Sequence, residues 1–423
     1  MTWVTGMLRL VRRRSLLEGL SLVLLWHGPV GAEVVDQSVS VLADAQLTQL
    51  AETATLLPLE NRNAVAGGTA DLDGDGDLDI LIWHRLPDEP PFSLINDGHG
   101  HMSDESITRL PTLKSGETLT AVLVDLNGDG SMDAYVGRSP NDHVWLNNGQ
   151  GVFTDVSAAW LPEGWGGTIS VAVGDITGDQ RPDLVVVQAG QGHVLENMSG
   201  HALREIGDGV FPQGAPDGVS HVGLFDLDGD GAPDLVAAGI NKVRVFHNDH
   251  SLFRLYATRL NPHRYPITGI AAGDLDGDGD LDFVLSRQGP PLLWQDGRLD
   301  AKRKGDTQRL LSINAPPSFA NGVTLNDLDR DGRPDVVLPI TGPNILVLSP
   351  GTRRFWRTPP NWLVPDNEAS RYAFVGDFNG DCLMDLYVAN DSKTVSTSSS
   401  APPLLSRTSR ASHPCRITCP SIP

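Results

Sequence analysis

Asp71-Leu72-Asp73-Gly74-Asp75-Gly76-Asp77-Leu78-Asp79 sets five carboxylates at alternate positions of a nine-residue stretch. Flanking it are short runs rich in small, β-branched and aromatic residues, the composition of strands joined by a tight loop. The pattern returns six times. With positions one, three, five and nine named in order, the second copy carries Asp125, Asn127, Asp129 and Asp133, and the third Asp175, Thr177, Asp179 and Asp183. The fourth carries Asp226, Asp228, Asp230 and Asp234, the fifth Asp274, Asp276, Asp278 and Asp282, and the sixth Asp327, Asp329, Asp331 and Asp335. The seventh carries Asp377, Asn379, Asp381 and Asp385. Their starts lie 54, 50, 51, 48, 53 and 50 residues apart. That period suits a four-stranded propeller blade and exceeds most helical repeats.

Around the second copy, residues 119–124 and 134–136 read as strands, and residues 144–156 read as strand, Gly-rich turn, strand. No capped amphipathic helix of useful length interrupts the plan. Each repeat is therefore expected to be four antiparallel strands with the acidic loop in the first hairpin. One such sheet cannot bury both faces, so seven blades must stack around an axis. The expected fold is all-β, a seven-bladed β-propeller. After Ala389 the strand-turn-strand signal fades, while Gln46-Leu47-Thr48-Gln49-Leu50-Ala51 is similar to the fourth-strand stretch Val152-Phe153-Thr154-Asp155-Val156-Ser157. The N-terminal segment is thus expected to supply the outer strand of the last blade and close the ring.

Carboxylates at alternate loop positions can converge on one calcium ion, which takes six to eight oxygens. Positions one, three and five would give side-chain oxygens, seven a carbonyl and nine a carboxylate, with Gly at six for the sharp turn. The competing reading is that Asp and Gly are simply good turn formers. Five carboxylates repelling one another favour a cation. Calcium is expected in up to seven sites, with the Asp and Asn residues named above as ligands. Loops one, four, five and six keep the full acid set, although Arg330 stands at position four of loop six. Loop three is weakened by Thr177 and by Gln180 at position six, and loop seven by Cys382 at position six.

These residues resemble the FG-GAP or VCBS repeat family, the calcium-binding blades of integrin α-subunits and of many exported bacterial proteins. The resemblance covers residues 64–389. It implies a seven-bladed propeller with calcium in hairpin loops on one face and ligand contacts on other loops. An ASPIC/UnbV domain often follows such repeats, and no stretch of this sequence resembles one.

The remaining features bound the function. Residues 1–32 read as an export signal, with Arg9, Arg12, Arg13 and Arg14 before an apolar stretch over 16–26 and small residues at Val30-Gly31-Ala32. An uncleaved anchor and a twin-arginine signal are the alternatives. The expected organisation is a signal over 1–32, the propeller over 33–393, and a Ser-, Pro- and Arg-rich segment over 394–423 that is either disordered or the product of an altered reading frame. A secreted, periplasmic or cell-envelope location follows, with no transmembrane segment after cleavage. A formal net charge of -21 argues against nucleic acid as partner. Cys382, Cys415 and Cys419 are too few and too clustered for a disulfide framework. No nucleophile elbow, zinc-protease helix, phosphate loop or Cys-x-x-Cys pair is present. The expected role is a module that binds an extracellular or envelope protein or glycan through the face opposite its acidic loops. The alternative is a polysaccharide lyase using Arg254, Arg259, His263, Arg264 and Tyr265, and a purely structural envelope role is the third reading.

Overall fold

The computed structural model describes residues 64–86, 89–113, 115–206, 218–249, 253–260, 264–294, 310–312, 320–349, 356–357, 369–381, 384–390 and 394–397. Within them every acidic nonapeptide is the loop of a hairpin. The residue before position one pairs with position nine, as in Ala70 with Asp79, Val124 with Asp133 and Gly376 with Asp385. Position nine therefore opens each second strand, from Asp79–His84 in blade one to Asp385–Asn390 in blade seven.

Blade one runs Ala64–Ala70, Asp79–His84, Phe92–Asn96 and Met102–Asp104, each strand antiparallel to the one before. Five further sheets repeat this order with four strands, and the seventh has three: Ser370–Gly376, Asp385–Asn390 and Thr394–Thr397. The expectation of seven four-stranded blades is corrected accordingly: six four-stranded blades and one three-stranded sheet stand among the described residues. The β-branched run Thr394-Val395-Ser396-Thr397 carries a strand past the boundary expected at 393, pairing Leu386 with Thr397 and Ala389 with Thr394. A fourth-strand stretch such as Phe153-Thr154-Asp155 has no counterpart beyond it among those residues. The closing segment expected at 46–51, the signal over 1–32 and the rest of the tail lie outside the described residues.

First strands neighbour one another from blade to blade, and the first strand of blade seven neighbours that of blade one. They form the hub, and fourth strands lie at the rim. The second strand explains why the stack holds. Its side chains alternate between faces, so Ile80 and Ile82 join Phe374, Phe378 and Tyr387 of the seventh sheet. Leu81 and Trp83 face the other way, onto Ala134, Val136 and Trp145 of blade two. Blade three divides its valines likewise, Val186 toward blade two and Val185 with Val187 toward blade four. Continuous apolar runs in strands buried on both faces are what such stacking requires.

Backbone locks add direction to these contacts. Asn147, at the end of the third strand of blade two, donates Nδ2 to the Leu72 carbonyl of loop one at 2.8 Å. Asn197 does the same to Leu126, Asn248 to Ile176, and Asn96 to Phe378 of the seventh sheet at 2.8 Å. The last of these closes the ring between the first and seventh repeats. Among the described residues no helix is long and apolar enough to cross a membrane.

Candidate metal centres

Positions four and six of the loops turn through left-handed backbone. Gly74 and Gly76 have φ of 81° and 96°, and Gly277 and Gly279 of 76° and 88°. Where the sequence offers no glycine, the chain still adopts this conformation, with φ of 65° at Gln180 and 59° at Arg330. A side chain there costs about 1 kcal/mol. Gln180→Gly should therefore raise the stability of the protein by about 1 kcal/mol, read as a shift of the urea midpoint. An unchanged or lowered midpoint would show that loop three is relaxed as it stands.

Once turned, each loop folds its acids inward. Asp274 Oδ1 accepts the Gly277 and Asp278 N–H groups at 2.7 and 3.1 Å, and its Oδ2 accepts that of Gly279 at 2.9 Å. Asp71, Asp125, Asp175, Asp226, Asp327 and Asp377 accept loop N–H groups from the same position. Asp75, Asp129, Asp179, Asp230, Asp278 and Asp331 accept from position seven. In loops one, five and six the acids of positions one, three and nine converge: Asp71, Asp73 and Asp79; Asp274, Asp276 and Asp282; Asp327, Asp329 and Asp335, each set offering oxygens within 4.8 Å of one another. Loop four forms two such sets, Asp226, Asp228 and Asp230, and Asp228, Asp234 and His247.

Loops two, three and seven form no such acid set among the described residues. Asn127 Oδ1 accepts the Asp129 N–H at 2.8 Å, Asn379 does so for Asp381 at 2.9 Å, and Cys382 lies outside the described residues. Loop three holds Asp179 against its own cation, because Arg181 at position seven pairs with it. Arg333 pairs in the same way with Asp331 of loop six. Arg109, from the short helix Ser106–Arg109, reaches Asp73 Oδ2 at 3.3 Å. These three arginines were not singled out by the sequence pattern. The signal for two of them was an Arg at position seven.

Position nine has a second duty. Asp133 is wholly buried, its Oδ2 accepting the Leu126 and Asn127 N–H groups at 3.0 and 3.3 Å and its Oδ1 that of Asn147 at 2.8 Å. Asp79, Asp183, Asp234 and Asp335 join loop and third strand in the same way, and Asp282 and Asp385 hold position two. Burial pushes Asp79 and Asp133 up to about 6 and Asp335 and Asp385 up to about 7. Asp183 and Asp234 are raised by the same cause. Such groups bind more protons folded than unfolded across this window, so the stability they add is full below about 3.9 and is lost as pH rises through 6 to 7. The EDTA-treated protein should accordingly be more stable at pH 5 than at pH 8 in urea melts. A bound divalent cation reverses the sign, because it requires ionised carboxylates. A stability that rises with pH in EDTA would refute this account.

A model of the FG-GAP-like repeat matches residues 71–136, 125–186, 175–237, 226–285 and 327–388, so each match opens at position one of a loop. The chain belongs to the FG-GAP-like repeat family. The FG-GAP propeller is 23% identical over 323 residues to cartilage acidic protein 1 of Xenopus tropicalis, across 65% of this chain and 48% of that protein. It thus spans about half the length of that relative. Among solved structures it is similar to BBS1N in complex with ARL6DN, at a TM-score of 0.51 and 10% identity over 81% of this chain and 97% of that one. It is also similar to an Agrocybe aegerita lectin that recognises non-reducing terminal N-acetylglucosamine, at 0.49 and 16% over 79% and 87%. A third is the extracellular domain of the hybrid two component system BT4673 from B. thetaiotaomicron, at 0.48 and 11% over 80% and 39%.

Away from the loops, the FG-GAP propeller brings Ser157, His143 and Asp155 together at the rim of blade two. Both contacts of the imidazole fall on Nδ1, at 2.9 Å to Asp155 and 3.3 Å to Ser157. A nucleophile relay needs the acid and the hydroxyl on opposite ring nitrogens, so this group is a surface brace. His193 pairs with Glu205 at the same place in blade three. Of the residues considered for a lyase, Arg254 pairs with Asp249 and Tyr265 lies under the Arg287 guanidinium, 5.1 Å from its ring centroid. His263 and the Arg259 side chain lie outside the described set.

Proposed function

We propose that this FG-GAP propeller is an extracellular, calcium-loaded binding module that engages a protein or glycan through the face opposite its acidic loops. The observation that carries the cation reading is loop one. Asp71, Asp73 and Asp79 present oxygens within 4.8 Å of one another, and Asp73 Oδ1 is buried without a hydrogen-bond partner. A buried carboxylate oxygen left in that state is costly unless a cation completes it. An all-oxygen donor set on a flexible loop fits calcium better than softer metals. Asp71, Asp73 and Asp79 would hold the ion in loop one, Asp274, Asp276 and Asp282 in loop five, and Asp327, Asp329 and Asp335 in loop six. The ion supplies charge neutralisation and a fixed loop shape. The chain supplies a rigid ring whose remaining loops are free to vary. The export-signal character of residues 1–32 supports a location where calcium is at millimolar level.

The test of binding is a glycan array set beside a polysaccharide-degradation assay, both run in calcium and in EDTA. Saturable binding without release of unsaturated sugars is expected. Release of such sugars would replace the module with the lyase reading.

A further inference from the structure

Among the described residues, loop four differs from the other loops by a nitrogen donor. His247, on the third strand Lys242–Asn248, places Nδ1 3.1 Å from Asp234 Oδ1 and 3.3 Å from Asp228 Oδ2. The residue at this place is Ile95 in blade one, Leu146 in blade two, Glu196 in blade three and Leu348 in blade six. One Nδ1–H would be shared between the two carboxylate oxygens, and Asp234 Oδ1 also accepts the Asn248 N–H at 2.9 Å. A three-centre hydrogen bond would hold this arrangement, and so would a cation shared by the three donors.

The separations also suit a metal. With bonds of about 2.0–2.1 Å from zinc to imidazole nitrogen and carboxylate oxygen, the edge of a tetrahedron is about 3.4 Å. The two nitrogen-to-oxygen separations lie near that edge. Asp228 also belongs to the set with Asp226 and Asp230, so further carboxylates stand next to the three donors. His247 is about one-third exposed, at 31%, which leaves an entry path. Imidazole combined with two carboxylates suits zinc-class ions, whereas calcium gains little from nitrogen. We propose that loop four is a site for a transition cation of the zinc class, held by His247 Nδ1, Asp228 and Asp234, in a protein whose other acidic loops take calcium. The proposal rests on reading the acidic loops as cation sites, and it differs in the ion and in the donor.

Cobalt(II) titration of the full chain in excess calcium tests it. The wild type should show one equivalent of visible ligand-field absorption without the near-ultraviolet thiolate band that Cys382, Cys415 or Cys419 would produce. His247→Gln should weaken cobalt binding at least tenfold while leaving calcium binding unchanged. Zinc should shift the His247 ring resonances of the wild type, a readout that does not depend on the variant folding. Cobalt bound equally by His247→Gln, displaced by calcium, or not bound by the wild type would overturn the proposal. Cobalt binding in a protein that takes no calcium would instead sustain this site and remove the calcium reading of the other loops.

Discussion

Chelation of calcium should lower the melting temperature of the propeller by about 6 °C. A site with a dissociation constant of about 0.2 mM, at roughly 2 mM free ion, adds about 1.4 kcal/mol by mass action. The three loops proposed for calcium, one, five and six, would together contribute about 4 kcal/mol. An unfolding entropy of about 0.7 kcal/mol/K for roughly 330 residues turns that into about 6 °C. Melts in EDTA and in excess calcium measure it directly. Asp274→Asn should lower the melting temperature by about 2 °C more in calcium than in EDTA, since one site is lost on top of the acceptor for the Gly279 N–H. Thr177→Ala, in a loop that forms no set of three converging acids among the described residues, should change neither. Identical melts of the wild type in EDTA and in calcium would remove the ion from the account and leave the loops as turns.

The hairpin loops were legible in the sequence because their logic is local. Alternation of Asp with Gly over nine residues specifies both the turn and the convergence of the acids, and the apolar run after position nine marks a strand buried on both faces. What was not legible depends on separation along the chain. Asn147 meets Leu72 across 75 residues, and Asn96 meets Phe378 across 282. Only the ring geometry brings such pairs together, although an Asn fourteen residues after Asp133, Asp183 and Asp234 was visible as a regularity. His247 looked like His143 and His193, each near a third strand. The structure separates them, because those two face acids across the rim and His247 turns toward its own loop. Position nine was read as a ligand alone, whereas its buried oxygens also organise the backbone. Desolvation of that kind leaves no trace in residue spacing.

Asp133→Ala should destabilise the protein by about 3–5 kcal/mol, and by the same amount with or without calcium. Three backbone N–H groups, those of Leu126, Asn127 and Asn147, depend on this one carboxylate. Each buried donor left unpaired costs about 1–3 kcal/mol, and partial access of water to the loop side lowers the sum. Asn147 is also the residue that locks blade two onto loop one, so its displacement weakens contact between neighbouring blades. Loop two suits the test because its position three is Asn127 and it lacks a set of three converging acids among the described residues. A stability loss there reports on the backbone lock, with little contribution from a cation. Asp133→Asn should fall between wild type and Asp133→Ala. It keeps one acceptor oxygen, and burial that pushes Asp133 up to about 6 already disfavours the charge that the amide lacks. Urea melts of the three proteins in EDTA and in calcium decide the matter. A loss that disappears in EDTA would make Asp133 a cation ligand first and a lock second, and would transfer the same reading to Asp79, Asp183 and Asp234.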